Sequence, residues 1–291
     1  MNTITSASSA GSGSAKLVMS AGEPLRCYRE PGNSRAEFRR TRGGTTLETR
    51  TVIEDLAAKT RSRFELWAAF VNACHATHVA EVGVWKGEFA AAMLSACSSV
   101  GTYYMLDPWR HLDDWNKPAN VSAAAFEEIF AEAMSRTEFA AERRRVLRGT
   151  TLEIIDDIGD QTLDFAYIDG DHTLKGVSTD LIAIRPKMRA GGFVAGDDFY
   201  PSIWQHGTAF EPTLVFPFAV HFALSIRATI YALPFGQFLI ALPGDAAAKA
   251  GSFVDLTGRY RSVDLLQQLP ARGSVIGRLR KTLLAHRRSA S

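Results

Sequence analysis

Between residues 79 and 195, short and almost unbroken apolar runs alternate with amphipathic ones, and this constrains the fold of the 291-residue chain more than any other feature. Residues 79–84 (VAEVGV), 102–106 (TYYML), 145–147, 163–168 (LDFAYI) and 192–195 read as strands, and 88–96, 123–134 and 174–188 as helices. Strands that are apolar throughout have both faces covered, so the alternation predicts a parallel sheet between two helical layers. Upstream, Val52, Ile53, Leu56, Phe64, Leu66, Trp67, Phe70 and Val71 recur near helical spacing and predict one or two helices before the first strand. Downstream, a helix around 218–226 precedes two strands, 229–233 and 237–242, joined by Pro234-Phe235-Gly236. That hairpin places an antiparallel strand on the parallel sheet. The expected fold is α/β, Rossmann-like and doubly wound. Its boundaries are a flexible leader with a basic segment (1–46), a central domain (47–243) and a C-terminal extension (244–291) of small helices or a loosely attached tail.

The composition, 46% hydrophobic and 22% charged, is that of an ordinary globular protein with a sizeable core. A net charge of +2 lacks the basic excess of a nucleic-acid binder. The arginine-rich stretch 26–50 and the basic stretch 272–291 are not interleaved with aromatics and read as solvated faces. Cys27, Cys74 and Cys97 are odd in number and form no C-x-x-C, which fits packing residues in a reducing compartment, so a cytoplasmic location is expected. The Ser/Ala/Gly-rich N-terminus has no basic region followed by an apolar core and does not read as a secretory signal. The apolar stretch 212–243 is broken by His221, Arg227, Gln237, Pro217, Pro234 and Gly236, so no membrane span is expected.

In an open parallel sheet a ligand sits beyond the carboxyl ends of the strands. The first strand ends in Glu81-Val82-Gly83-Val84-Trp85-Lys86-Gly87, whose glycines let the backbone approach a ligand. Glu81, just before this turn, suits a cationic ligand group better than a core. Asp107 ends the second strand twenty residues past Gly87, the place from which a carboxylate accepts both hydroxyls of a ribose. No phosphate cradle of the G-x-x-x-x-G-K-[ST] kind is present. Glu81 and Asp107 together imply an adenosine ligand carrying positive charge.

The last two parallel strands end in Ile168-Asp169-Gly170-Asp171-His172 and Gly196-Asp197-Asp198-Phe199. Neighbouring strands lie about 4.8 Å apart, so these acids could share one ion, and an all-oxygen set favours Mg2+, Mn2+ or Ca2+. His172, three residues past Asp169, is a candidate general base. The other histidines (His75, His78, His111, His206, His221, His286) read as structural.

In this order and spacing, EVGVWKG, MLDPW, LDFAYIDGDH and RAGGFVAGDDF resemble the strand-end motifs of class I S-adenosylmethionine-dependent methyltransferases. More narrowly they resemble the macrocin-type branch of natural-product sugar O-methyltransferases, and more distantly catechol-type enzymes. The resemblance covers about residues 60–242. It implies that Glu81, Gly83 and Gly87, with Val84 between them, line the methionine part of the cofactor and that Asp107 binds its ribose. Trp109, Gly149 and Thr150 would lie near the adenine. Asp169 would meet both the cofactor and a metal completed by Asp197 and Asp198, Asp171 being a substitute or supplement. The implied reaction is methyl transfer to a hydroxyl of a small molecule such as a sugar or polyketide. The substrate would be admitted by loops 108–122 and 199–216, whose aromatics are Trp109, Trp115, Phe199, Tyr200 and Trp204. A non-catalytic partner protein of the same fold and a nicotinamide-dependent oxidoreductase are the alternatives. The N-terminal helices and basic tail could support a homo-oligomer.

Overall fold

The computed structural model describes residues 46–207, 209–244 and 250–260. The expected leader and basic segment up to residue 45, and all of the basic stretch 272–291, therefore lie outside the described residues. Two helices come first, α1 (Thr46–Lys59) and α2 (Arg63–Ala73). Ser62 caps α2 by accepting the Glu65 N–H at 3.2 Å, and the helix buries Leu66, Trp67, Phe70 and Val71. The alternating region follows: β1 (His78–Val82), α3 (Glu88–Ala96), β2 (Thr102–Asp107), α4 (Ala123–Arg136), β3 (Arg144–Arg148), a short α5 (Thr151–Ile154), β4 (Leu163–Ile168), α6 (Leu174–Ile184) and β5 (Met188–Gly196). Then come α7 (Val215–Ser225), β6 (Thr229–Leu233), β7 (Gln237–Ala241) and β8 (Phe253–Asp255).

The eight strands form one sheet in the order β3-β2-β1-β4-β5-β7-β6-β8. Pairing is parallel from β3 to β5, while β7 runs antiparallel to both β5 and β6. The doubly wound sheet and the antiparallel hairpin strand are as expected. One reading is corrected: residues 253–255, expected within small helices or a loose tail, pair in parallel with β6 as the edge strand. Only tertiary pairing stabilises so short a strand, which is why periodicity did not reveal it.

Strand geometry divides the core in two. In β4, Phe165 and Tyr167 face α2 and α3, packing with Trp67, Phe70 and Phe89, while Ala166 and Ile168 join Val177, Leu181 and Val220 on the opposite side. From β1 the chain builds outward through β2 and β3, then returns to place β4 on the other side. The crevice between β1 and β4 is thus the topological switch point, where no crossover covers the carboxyl ends.

Gly83 sits in that crevice with φ +86°, and a Cβ there would lie 2.2 Å from the Asp169 carbonyl oxygen and 2.5 Å from Gly170 Cα. Both obstacles are backbone and cannot turn aside. Gly83→Ala should therefore lower stability by about 3 kcal/mol or more in urea unfolding. Gly258→Ala, also at positive φ (+68°) but with nothing within 4 Å, should cost about 1 kcal/mol. Equal losses would show that the backbone approach at Gly83 is not the constraint.

Candidate active site

A cavity of about 930 Å3 opens at the switch point, lined by Glu81, Asp107, Thr150, Asp169, His172 and Asp198 among others. Its first wall is the turn after β1. Asp107 holds that turn: Oδ2 accepts the N–H groups of Val84 and Trp85 at 2.9 Å each, and Oδ1 accepts that of Trp109 at 2.7 Å. Burial raises its pKa and these three donors oppose the rise. One acceptor position of Oδ1 is left over, so Asp107 can brace the turn and still accept from a ligand.

Glu81 is only 2% exposed, and in register it pairs with Tyr167 on β4. The Tyr103 hydroxyl donates to its Oε2 at 2.7 Å. Burial dominates and holds this carboxyl well above the usual range. A cation in the cavity would reverse that, which is what the sequence reading required of Glu81. Gly87 (φ +74°) lets α3 start directly behind the turn, and Val84 is buried there. Gly149 and Thr150 line the cavity past β3, where Thr150 forms a capping box with Glu153.

The acidic cluster forms as expected but is already balanced. Arg63, at the first turn of α2, donates from Nη1 to Asp169 Oδ2 at 3.0 Å and also to Asp197 Oδ2. His172 bonds through Nδ1 to Asp198 Oδ2 at 2.6 Å, while its Nε2 lies 3.3 Å from Asp169 Oδ1 without the alignment of a hydrogen bond. Burial alone would lower the His172 pKa, but Asp169 and Asp198 outweigh it and raise it to about 10. The two carboxylates therefore favour the protonated form of the imidazole. Asp198 is correspondingly held below the usual carboxylate range by His172, against the effect of its burial.

Asp197 does not line the cavity. Its Oδ1 accepts the Asp198 N–H at 2.7 Å and Gln237 Nε2 at 2.6 Å. Asp171 is likewise engaged, accepting from Thr173 N and Oγ1 at 2.9 Å and from Trp115 Nε1 at 2.9 Å. A divalent ion on Asp169, Asp197 and Asp198 would meet the Arg63 guanidinium, the His172 ring on Asp198 and an Asp197 whose oxygens are in use, so the three do not fit it as arranged. Among the described residues, His172, Asp198 and His206 each bring a ligand atom within 4.8 Å of the others. His206, read as structural from sequence, lines the cavity.

Trp109 is corrected: it is fully buried beneath the turn, donates Nε1–H to the Trp85 carbonyl at 2.8 Å, and packs edge-on against Phe130. Of the loop aromatics only Trp115 reaches the cavity; Phe199 belongs to the core around Phe216 and Phe238. The two loops do meet, since Lys117 Nζ donates to the Glu211 carbonyl at 2.8 Å and Asn116 Nδ2 to that of Ala209 at 3.2 Å.

Sequence reading also missed Arg63 and Asp180. No motif surrounds Arg63, and Asp180 lies mid-helix in α6, where a polar residue is expected to face solvent. Instead it is 5% exposed, lines the cavity and accepts from Thr151 Oγ1 at 2.5 Å. Burial raises its pKa from 3.8 to about 7. An unfolded chain releases this proton near 3.8 and the folded chain near 7, so stability should fall as pH rises through that window, by on the order of 4 kcal/mol. Asp180→Asn should flatten this dependence in denaturant titrations from pH 4 to 8, and an unchanged slope would assign it elsewhere.

Residues 80–199 match a family model described as a methyltransferase domain. A protein of Sinorhizobium fredii, y4gI, is 25% identical over 163 residues, which cover 53% of this chain and 17% of that protein. The chain therefore spans less than a fifth of that relative's length. Among solved structures, the chain is similar to the O-methyltransferase TomG of Streptomyces achromogenes in complex with S-adenosylmethionine, involved in tomaymycin synthesis. That match has a TM-score of 0.45 and 16% identity, and covers 66% of this chain and 90% of that one. An O-methyltransferase of Bacillus cereus in complex with S-adenosylhomocysteine gives a TM-score of 0.47 and 18% identity at the same coverages. The family match runs from within β1 to just past β5, through all four strand-end motifs, so residues 80–199 are similar to a methyltransferase domain, carried here on the observed strand order.

Proposed function

We propose that the protein transfers a methyl group from S-adenosylmethionine to a hydroxyl of a small molecule, a sugar- or polyketide-like metabolite being the class expected. The observation that carries this reading is the pair of buried carboxylates, Glu81 and Asp107, on either side of a glycine turn at the switch point. A buried acid with a raised pKa invites a cation, and a braced acid with a free acceptor position suits a ribose hydroxyl. S-adenosylmethionine, when bound, supplies an electrophilic methyl on a positively charged sulfur.

The remaining steps fall to the chain's own residues. Glu81 receives the positive end of the cofactor and Asp107 its ribose, with Gly83, Val84 and Gly87 shaping the wall. Gly149 and Thr150 bound the nucleobase end. Lys117 and Asn116, bonded across to the 199–216 segment, keep water from the acceptor. The proton of the acceptor hydroxyl passes to the coupled group of His172 with Asp169 and Asp198, which lines the cavity. The enzyme then has only to hold oxygen, methyl and sulfur in line. The Mg2+, Mn2+ or Ca2+ ion implied by the resemblance is given no step, because Asp169, Asp197 and Asp198 are already bonded within the protein.

No helix among the described residues is long and apolar enough to cross a membrane. Among the described residues Cys74 and Cys97 are free thiols whose pKa burial lifts to about 12, which supports packing roles; the cytoplasm is the location proposed, as expected from sequence.

Titration calorimetry tests the reading. S-adenosylhomocysteine should bind and NAD should not, and at 100 times its dissociation constant the ligand should add about 2.7 kcal/mol of stability. Asp107→Ala should weaken this binding at least tenfold, from the lost contact and the loosened turn. NAD binding as tight as S-adenosylhomocysteine would sink the proposal.

A further inference from the structure

We propose that Arg63 is the resident cation of the acceptor end of the cavity, its guanidinium holding the place between Asp169 and Asp197 that the sequence reading gave to a divalent ion. The inference rests on the methyltransfer reading only for what the cavity is used for; the cation's place rests on geometry.

The position is built rather than incidental. Asp197 takes Arg63 on Oδ2 while its Oδ1 is fixed by Gln237 Nε2 and the Asp198 N–H. Gln237 is fully buried, and its Oε1 in turn accepts from Trp67 Nε1 at 2.7 Å and from the Tyr167 hydroxyl at 2.8 Å. Trp67 lies one helical turn after Arg63 on α2, so both project from the same face. One helix thus delivers the cation and locks the amide that orients its carboxylate. The Tyr167 hydroxyl lies 3.4 Å from Arg63 Nη1, completing a ring of acceptors around it.

Charge agrees with geometry. Asp169 and Asp197 face the Arg63 guanidinium, and Asp198 faces His172. A guanidinium stays protonated throughout the physiological range, so this balance does not depend on metal supply. Arg63 lines the cavity with its side chain 29% exposed, and among the described residues all its hydrogen bonds are made by Nη1. Nη2 and Nε remain as charged donors, the kind that stabilises an oxygen gaining negative charge.

The test measures Mn2+ binding by electron paramagnetic resonance on the full-length protein saturated with S-adenosylhomocysteine. If Arg63 is the resident cation, Arg63→Ala should bind Mn2+ at least tenfold more tightly than wild type, and adding Asp197→Asn should abolish the gain. Arg63→Lys, which keeps the charge, should behave as wild type. Arg63→Gln, closer in size to arginine, repeats the measurement should Arg63→Ala fold poorly, with S-adenosylhomocysteine binding as the check on folding. Unchanged Mn2+ affinity in Arg63→Ala and Arg63→Gln, or a gain that survives Asp197→Asn, would overturn the inference. Failure of wild type to bind S-adenosylhomocysteine would overturn the methyltransfer reading instead, while the Mn2+ comparison would still decide the place of Arg63.

Discussion

A carboxylate removed from water must find a cation or a set of N–H donors, and the site of this protein is organised by that requirement. Glu81, Asp107, Asp169 and Asp198 line one cavity at the carboxyl ends of strands, with Asp197 just behind it, and they meet that requirement in different ways. Asp107 uses backbone N–H groups of the turn it braces. Asp169 and Asp197 share Arg63, and Asp198 takes His172. Among the described residues Glu81 has a single tyrosine donor and no cation in bonding contact, so it is the acid left for a ligand to satisfy.

That arrangement follows from the sheet. Side chains alternate across a strand, so Glu81 and Tyr167 face the side of the sheet that α2 and α3 cover. The same helical layer supplies Trp67 to Gln237 and Arg63 to the acids. The opposite layer, around α6 and α7, contributes Asp180 and the capped start of α6 behind His172. The cavity is thus a seam between two cores, and its polar residues are held by groups whose other ends are packed in apolar surroundings. Sites supported in this way lose little freedom when a ligand arrives.

Much of this was legible in the sequence. Continuous apolar strands at regular spacing determined the doubly wound sheet, since any strand apolar on both faces must be covered on both. Glycines at 83 and 87 marked the turn: only a residue without Cβ tolerates the backbone of Asp169 and Gly170 so close at 83, and the backbone at 87 is left-handed against Ala133. Acids at strand ends marked the crevice, because a carboxylate after an apolar run is wasted in a core. The residues 80–199 that carry these signals are those that match the methyltransferase family.

What the sequence could not determine was which group answers each charge. Arg63 and Asp169 are 106 residues apart and Gln237 and Tyr167 are 70 apart, and no local pattern records such a pairing. A run of acids looks the same whether an ion, an arginine or a histidine neutralises it. Likewise Trp109 looked like a ligand contact because it follows Asp107, but the left-handed backbone at Trp109 turns its ring beneath the loop. Local sequence therefore determined the strands, the turn and the acids at their ends, since these depend on periodicity and steric limits within a few residues. The pairing of charges, the two carboxylates about His172 and the burial of Asp180 were decided only when helix and sheet packing brought distant residues within a few ångströms, where electrostatics and desolvation take over.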